Sequence, residues 1–367
     1  MKIVIDARFT RTDHHDGISR YGSSLIAATA RIADVSMLIS DPRQLSLLPD
    51  VPYTLINSPL SPSELFVAAK VNRLGADVVV CPMQTMGTWG RKYGLVLTLH
   101  DLIYYEHPAP PGFLPAPVRV LWRLYHKAFW PQRLLLNRAD VVATISRTTE
   151  ALMAKYRLTT RPVRIISNAP QPAQLPRDPK AGRDKTLLYM GSFMPYKNVE
   201  TMLAGMADLP GYTLHLLSRI TPQRRAELEA LMPAGAHIVF HNGVSDDEYT
   251  DLLKRTTALV SLSKAEGYGL PLVEAMALGT PVIASDTPIF REVGADAATY
   301  VDPDSPAAFA AAAHSLDDDM HWEDVSRRSA RRAQDFSWDH SAQQLVEVAA
   351  EVMALRGNSR TGKSRPH

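Results

Sequence analysis

The sequence predicts an α/β protein of two Rossmann-like, doubly wound domains facing across a cleft. Three observations carry this. Short runs of Val, Ile and Leu recur without polar alternation, as strands covered on both faces of a parallel sheet do. Each run is followed by a segment of helical periodicity, such as Met202, Leu203, Met206 and Leu209. The alternation occurs twice in 367 residues, a length that exceeds one ordinary core.

In the first half, strands are expected at 2–6, 77–81, 95–100, 140–145 and 163–166. In the second half they are expected at 186–190, 212–217, 237–240, 258–262, 280–284 and 299–301. The break is the stretch 168–184, which holds Pro170, Pro172, Pro176 and Pro179 and little apolar periodicity. The expected division is a first domain over 1–170, a linker over 171–184 and a second domain over 185–340. A closing helix over 341–355 is expected to cross back to the first domain. Residues 356–367 are basic and apolar-poor, and are expected to be disordered. Open α/β sheets bind ligands beyond the carboxyl ends of their strands, so the loops there are where a site is sought.

Composition narrows the function. Hydrophobic residues make up 46% and charged residues 21%, with a net charge of +2. That is an ordinary globular balance, without the basic bias of a nucleic-acid binder. The single cysteine, Cys81, lies in an apolar run and reads as a buried, inert side chain. No run approaches a membrane span, and the first strand is too short for a signal peptide, so the expectation is a cytoplasmic protein. His14-His15-Asp16 is not read as a metal site, because no third ligand is in view. No Gly-X-Gly-X-X-Gly follows the first strand, which disfavours a nicotinamide dehydrogenase.

The most informative stretch runs from Ser263 to Thr280. Pro271 suits the first position of a helix over 271–278, and Gly279 suits its end. Gly267 and Gly269 lie in the loop before it. A helix start offers free N–H groups and a dipole that favours an anion, and glycines let that backbone come close to a phosphate. Glu266 and Glu274 are eight residues apart. At about 100° per residue they would sit about 80° apart even on one helix, which argues against an acid–base pair. One carboxylate at each end of a phosphate-containing ligand fits better, with both facing hydroxyls. A structural loop with ordinary surface acids is the bland alternative.

Glu266-Gly-Tyr-Gly-Leu-Pro-Leu-Val-Glu274, followed by Gly279-Thr-Pro-Val-Ile-Ala-Ser-Asp286, closely resembles glycosyltransferase family 4, a retaining group of GT-B fold. Tyr189-Met-Gly-Ser-Phe-Met-Pro-Tyr-Lys-Asn198, His100-Asp101-Leu102, Asp16-Gly-Ile-Ser-Arg-Tyr21 and Phe336-Ser-Trp338 extend the likeness over most of the chain. The resemblance implies the following roles. Glu266 contacts the transferred sugar and Glu274 the ribose. Lys197 neutralises the diphosphate. Gly191 and Ser192 belong to its loop. The backbone of Gly267, Tyr268, Gly269, Leu270, Pro271 and Leu272 holds phosphates and sugar. Gly243 and Val244 line the base pocket. Gly17 allows close approach in the first domain, and His100 bonds the sugar. It implies no metal and no cofactor beyond the nucleotide-sugar substrate. One departure stands out: Ser192 occupies a position where many members carry arginine.

The stretch 118–130 is amphipathic on a helical wheel. Leu121, Leu124, Tyr125 and Ala128 form one face. Arg119, Trp122, Arg123 and His126 form another, with Lys127 at its margin. Basic residues beside tryptophan suit an anionic membrane surface and a lipid-linked acceptor, whereas the plainer reading is a solvated basic face. Arg20 and Tyr21 join Arg119, Trp122 and Arg123 as candidate acceptor or membrane contacts. The leading expectation is hexosyl transfer from a nucleotide diphosphate-sugar to a glycan or lipid-linked acceptor. GDP-mannose is the favoured donor, because the Gly-Ile-Ser-Arg-Tyr start resembles mannosyltransferase branches. A UDP-sugar is the second choice. The alternative of another class is a non-catalytic nucleotide-sugar-binding paralogue, motivated by Ser192.

Overall fold

A computed structural model of the chain describes residues 1–108, 110, 116–171 and 175–361. They form two compact units. One is Met1–Asn168 with the chain from Ser337 onward, and the other is Ala169–Phe336.

In the first unit, chain order runs β1 (Lys2–Asp6), α1 (Gly17–Thr29), β2 (Asp34–Ile39), β3 (Tyr53–Leu55), α2 (Val67–Asn72), β4 (Val78–Cys81) and β5 (Gly94–Leu99). It continues with α3 (Ile103–Glu106), α4 (Ala116–Tyr125), α5 (Trp130–Leu136), β6 (Val141–Thr144), α6 (Arg147–Lys155) and β7 (Val163–Ile165). The strands make one parallel sheet in the order β3-β2-β1-β4-β5-β6-β7. The inner strands β4, β5 and β6 are buried along their whole length, which is why they show no alternation.

The second unit follows as β8 (Thr186–Tyr189), α7 (Val199–Gly205), β9 (Thr213–Leu216), α8 (Pro222–Glu229), β10 (His237–Phe240) and α9 (Asp246–Arg255). Then come β11 (Ala258–Ser261), α10 (Leu270–Ala277), β12 (Val282–Ser285), α11 (Pro288–Gly294), β13 (Ala298–Val301), α12 (Pro306–Ser315) and α13 (Asp319–Ala333). Its six parallel strands run β10-β9-β8-β11-β12-β13. The order therefore reverses between β8 and β11, the place where such sheets open a crevice for a ligand. The last helix, α14 (Trp338–Thr361), packs on α1 and β5 of the first unit. Gly94 permits this approach, since a Cβ there would stand 2.3 Å from Val352 Cγ1.

Three differences from expectation have physical reasons. Strands β2 and β3 were not expected: β2 opens on Asp34 and carries Ser36, and β3 is a three-residue edge strand with Tyr53 and Leu55 exposed. The tail predicted to be disordered from 356 is helical through Thr361, because Arg356 finds the Lys92 carbonyl at 2.9 Å and Asp140 at 3.4 Å. Positions 362–367 lie outside the described residues. The stretch 175–184 is not a free linker but part of the second unit, while 172–174 lie outside the described residues. Arg177 is buried, donates to the Thr256 carbonyl at 2.9 Å, and lies 4.6 Å from the Trp322 ring. Arg183 lies 4.8 Å from the same ring. Burial, with Arg183 nearby, pulls the Arg177 pKa down to about 10. Prolines break the helical pattern here, but the arginines still need acceptors and a ring to lie on, and they find both.

Candidate functional site

The loops after β8 and β11 flank the reversal point of the second sheet, and backbone bonds stitch them together. The amide of Lys264 donates to the Tyr196 carbonyl at 2.8 Å. Asn198, left-handed at φ 55°, sends Nδ2 to the carbonyls of Leu262 at 3.1 Å and Pro303 at 2.6 Å. Asparagine tolerates that conformation better than most residues. The stitching brings Lys197 Nζ to 2.5 Å from Glu266 Oε1, with each side chain only 14% exposed. Sequence reasoning passed over Asn198, and its only local signal was an asparagine after the lysine.

The rest of the β8 loop is fixed from below. Gly191 donates its amide to Ser218 Oγ at 3.0 Å, and a Cβ on it would stand 2.7 Å from the Tyr189 hydroxyl. That hydroxyl donates to the Ser192 carbonyl at 2.6 Å, leaving the Ser192 side chain exposed. Arg224 reaches the same loop through the Phe193 carbonyl at 3.1 Å, but its charge is already paired with Glu200 and Glu227.

Helix α10 starts at Leu270, one residue before the expected position. Its N-cap, Gly269, is left-handed at φ +96° and supplies no side-chain cap. A Cβ there would stand 2.9 Å from Phe290 Cε1, so close packing and conformation both call for glycine. Pro271 occupies the first turn, and Gly279 at φ +71° follows the helix end. Gly267, Leu270, Pro271 and Glu274 are partly exposed, whereas Tyr268 and Leu272 have buried side chains. Tyr268 packs edge-on to Phe336 at 6.3 Å, and burial pushes its phenol pKa up. Only the backbone of these two can meet a ligand. After β10 the chain turns through Asn242 at φ +59° and Gly243 at φ +108°, and Val244 is half-buried beside them.

In the first unit, Gly17 opens α1. Asp16 caps that helix by accepting from the Ser19 amide at 2.9 Å. The preceding loop is anchored by buried Arg8, which bonds Asp6 at 2.8 Å and Glu64 at 2.6 Å. Burial opposes that guanidinium's charge, but the two carboxylates outweigh it and raise its pKa. His100 Nε2 sits 2.7 Å from the Pro82 carbonyl, which fixes the proton on Nε2 and leaves Nδ1 as an acceptor when the ring is neutral. Burial lowers its pKa, with the Pro82 carbonyl and Asp101 opposing. Nδ1 is therefore able to accept from a sugar hydroxyl. His14 meets Asp13 and His15 meets Ser19, and among the described residues no group of three His, Cys, Asp or Glu is arranged to hold a metal.

Two expected contacts in this unit need correction. Tyr21 is 1% exposed, donates to the Ile166 carbonyl at 3.2 Å and packs edge-on to His100 at 5.0 Å and Trp338 at 5.9 Å. It supports His100 and cannot itself touch an acceptor. Its neighbour Arg20 is half-buried. Helix α4 presents the opposite face to the one the wheel suggested. Trp122 and His126 turn inward, with Trp122 4.9 Å from the Tyr104 ring and His126 5.1 Å from that of Tyr105. Leu121 and Leu124 point outward at 67% and 58% exposure, with Val120 and Trp130 also exposed. Arg123 is exposed beside them and Arg119 is half-buried. Aromatic stacking outcompeted the leucines for the inner face.

Comparisons with known proteins give the family and the fold. The family described as Glycosyl transferases group 1 matches residues 171–333, and Glycosyltransferase Family 4 matches residues 39–172. The O-antigen chain mannosyltransferase RfbU of Salmonella typhimurium is 24% identical over 324 residues, covering 82% of this chain and 87% of its own. O-antigen chain mannosyltransferase B of Escherichia coli is 31% identical over 169 residues, 44% of either chain. Among solved structures, sucrose-phosphate synthase from Thermosynechococcus elongatus superposes with a TM-score of 0.70 at 22% identity, covering 96% of this chain and 99% of that one. Anabaena HepE in complex with UDP and glucose gives a TM-score of 0.70 at 17% identity, covering 96% and 100%. These structures share the GT-B fold. With the two family matches together spanning residues 39–333, the chain belongs to glycosyltransferase family 4.

Proposed function

We propose that this glycosyltransferase is a retaining, metal-independent mannosyltransferase that uses GDP-mannose and a glycan or lipid-linked acceptor. The observation that carries the reading is the Lys197–Glu266 contact of 2.5 Å beside the uncapped start of α10. Lysine and helix N–H groups suit a diphosphate, and a carboxylate next to them suits sugar hydroxyls. Lys197 and the helix dipole supply the positive charge a leaving diphosphate needs, so no metal is required. In the transfer step the bond from the anomeric carbon to the diphosphate oxygen breaks. The acceptor oxygen forms its bond on the same face, and its proton passes to the departing phosphate oxygen. Names of relatives support mannose, whereas HepE, solved with UDP and glucose, keeps a UDP-sugar as the second choice.

A nucleotide-sugar panel in titration calorimetry tests the donor, and no response to any donor refutes the reading. Slow donor hydrolysis that persists in EDTA and is lost in Glu266→Ala and Lys197→Ala supports metal-free catalysis. Exposed Ser192 favours the second reading, a binder without transferase activity. Donor binding with no hydrolysis or transfer in the wild type would establish that reading instead.

For the acceptor side we propose contact with an anionic membrane, from the cytoplasmic face, through α4 and α5. Leu121, Leu124, Trp130 and Leu134 are exposed there, and no Asp or Glu occurs between Glu106 and Asp140. Arg123, Lys127, Arg133 and Arg138 are exposed in the same stretch. No helix among the described residues is long and apolar enough to cross a membrane. Flotation with anionic vesicles should be lost in Leu121→Ser/Leu124→Ser, and equal binding to neutral vesicles refutes the charge component.

A further inference from the structure

The loop after β9 on the second unit carries an arginine that the fold does not use. Arg219, in the loop after β9, is exposed and makes no hydrogen bond or ion pair among the described residues. Its stem is nonetheless held in place. A Cβ on Gly243 would stand 3.1 Å from Arg219 Cγ and 3.4 Å from Nε, so the side chain lies across that glycine. Asn242 Oδ1 accepts from the Ile220 amide at 3.0 Å, which ties the β10 loop to the residue after Arg219. On the other side, Ser218 accepts from the Gly191 amide, so the same short loop borders the one that carries Lys197.

The sheet order gives a direction. Lys197 and the start of α10 mark the diphosphate at the exits of β8 and β11. A nucleoside attached to it must run along the sheet edge to one side or the other. Toward β12 the exit carries Asp286, already paired with Arg291 at 2.7 Å. Toward β10 the exit carries a glycine turn and an arginine without a partner. Neighbouring strands lie about 4.8 Å apart, which puts the β10 loop about 10 Å from β8, a span that a ribose and base bridge.

We propose that Arg219 reads the base of the donor nucleotide, its planar guanidinium donating two parallel hydrogen bonds to O6 and N7 of guanine. The fork of N–H groups matches two adjacent acceptors on one base edge. Uracil offers O4 beside a C–H on its corresponding edge and can accept only one. The inference rests on the nucleotide-sugar reading above and adds the residue that selects the base.

Titration calorimetry with GDP, UDP and 7-deaza-GDP on the wild type, Arg219→Ala and Arg219→Lys tests it. The wild type should prefer GDP. Arg219→Ala should lose about 10- to 100-fold in GDP affinity and less than about threefold for UDP. In 7-deaza-GDP the N7 acceptor is gone, so the wild type should bind it far more weakly than GDP, and Arg219→Ala should no longer distinguish the two. Arg219→Lys should recover only part of the loss, because its ammonium can donate to O6 and N7 but lacks the planar, pre-organised fork of the guanidinium. Melting temperatures should be unchanged, since Arg219 is exposed. Equal losses for GDP and UDP would make Arg219 a phosphate contact and overturn the base reading. Unchanged GDP affinity in Arg219→Ala, or a wild type that prefers UDP, also overturns it. A wild type that binds neither diphosphate removes the donor reading itself, a failure distinct from the other three.

Discussion

Glu266→Gln keeps the size of the side chain that meets Lys197 and removes its charge. The two atoms are 2.5 Å apart and both side chains are largely shielded from water. Charge centres about 4 Å apart attract by about 4 kcal/mol at an effective dielectric of 20. Desolvation of both groups offsets much of this, leaving about 1–2 kcal/mol of net pairing. On the proposed donor reading, an incoming diphosphate has to draw Lys197 away from Glu266 and bring more negative charge beside the carboxylate. Neutralising Glu266 removes that competition, so a bare nucleoside diphosphate should bind the variant about 5- to 30-fold more tightly. Sugar transfer should move the other way and fall about 100-fold or more in kcat/KM. Lys197→Met is the counterpart and should weaken the diphosphate by about 1.5–3 kcal/mol, the worth of a charge-assisted bond. Titration calorimetry gives the first and third quantities, and steady-state transfer the second. Weaker diphosphate binding by Glu266→Gln would refute the claim that the carboxylate and the phosphates compete for one lysine.

Three further outcomes are expected. Gly269→Ala forces a left-handed alanine and pushes on Phe290, a ring with 0% exposure. Its unfolding free energy in urea should drop by about 2–4 kcal/mol, and a loss under about 1 kcal/mol would contradict the packing argument. Gly17→Ala meets no atom within 4 Å and lies in α1, so stability should hold or rise by up to about 1 kcal/mol. Under the proposed close approach of a ligand to this bare backbone its transferase activity should nevertheless fall, and full activity in a stable Gly17→Ala would exclude such an approach. The folded-state pKa values of His100 and His215 lie below the unfolded value of about 6.5. Burial is the main cause for both, joined at His215 by His241. The unfolded chain therefore binds more protons in acid, so this stability is present above pH ~6.5 and lost as pH falls. His314, raised by Asp317, has the opposite sign but is exposed, so its contribution is small. The melting temperature should drop between pH 7.5 and 5.5, less so in His100→Gln, and a flat profile would contradict the sign.

The sequence alone determined what depends on neighbours along the chain. Buried parallel strands such as β4, β6 and β11 are legible because both faces are covered, leaving an unbroken apolar run. The start of α10 is legible for the same local reason: glycine, proline and glycine mark its cap, first turn and end within eleven residues. Edge strand β3 is not legible, since exposed Tyr53 and Leu55 look like a loop. Only the tertiary structure decided which distant residues meet. Lys197 and Glu266 stand 69 positions apart, and β8 lying beside β11 is what pairs them. The wheel of α4 found two faces but not the buried one, because Trp122 and His126 could choose between solvent and Tyr104 and Tyr105 only once α3 was packed. Arg219 carries no motif, and its position across Gly243 exists only because β9 and β10 are neighbours. Hydrophobic period and turn chemistry act over a few residues and can be read in one dimension. Charge pairing and stacking act through space, and the order of the strands decides them.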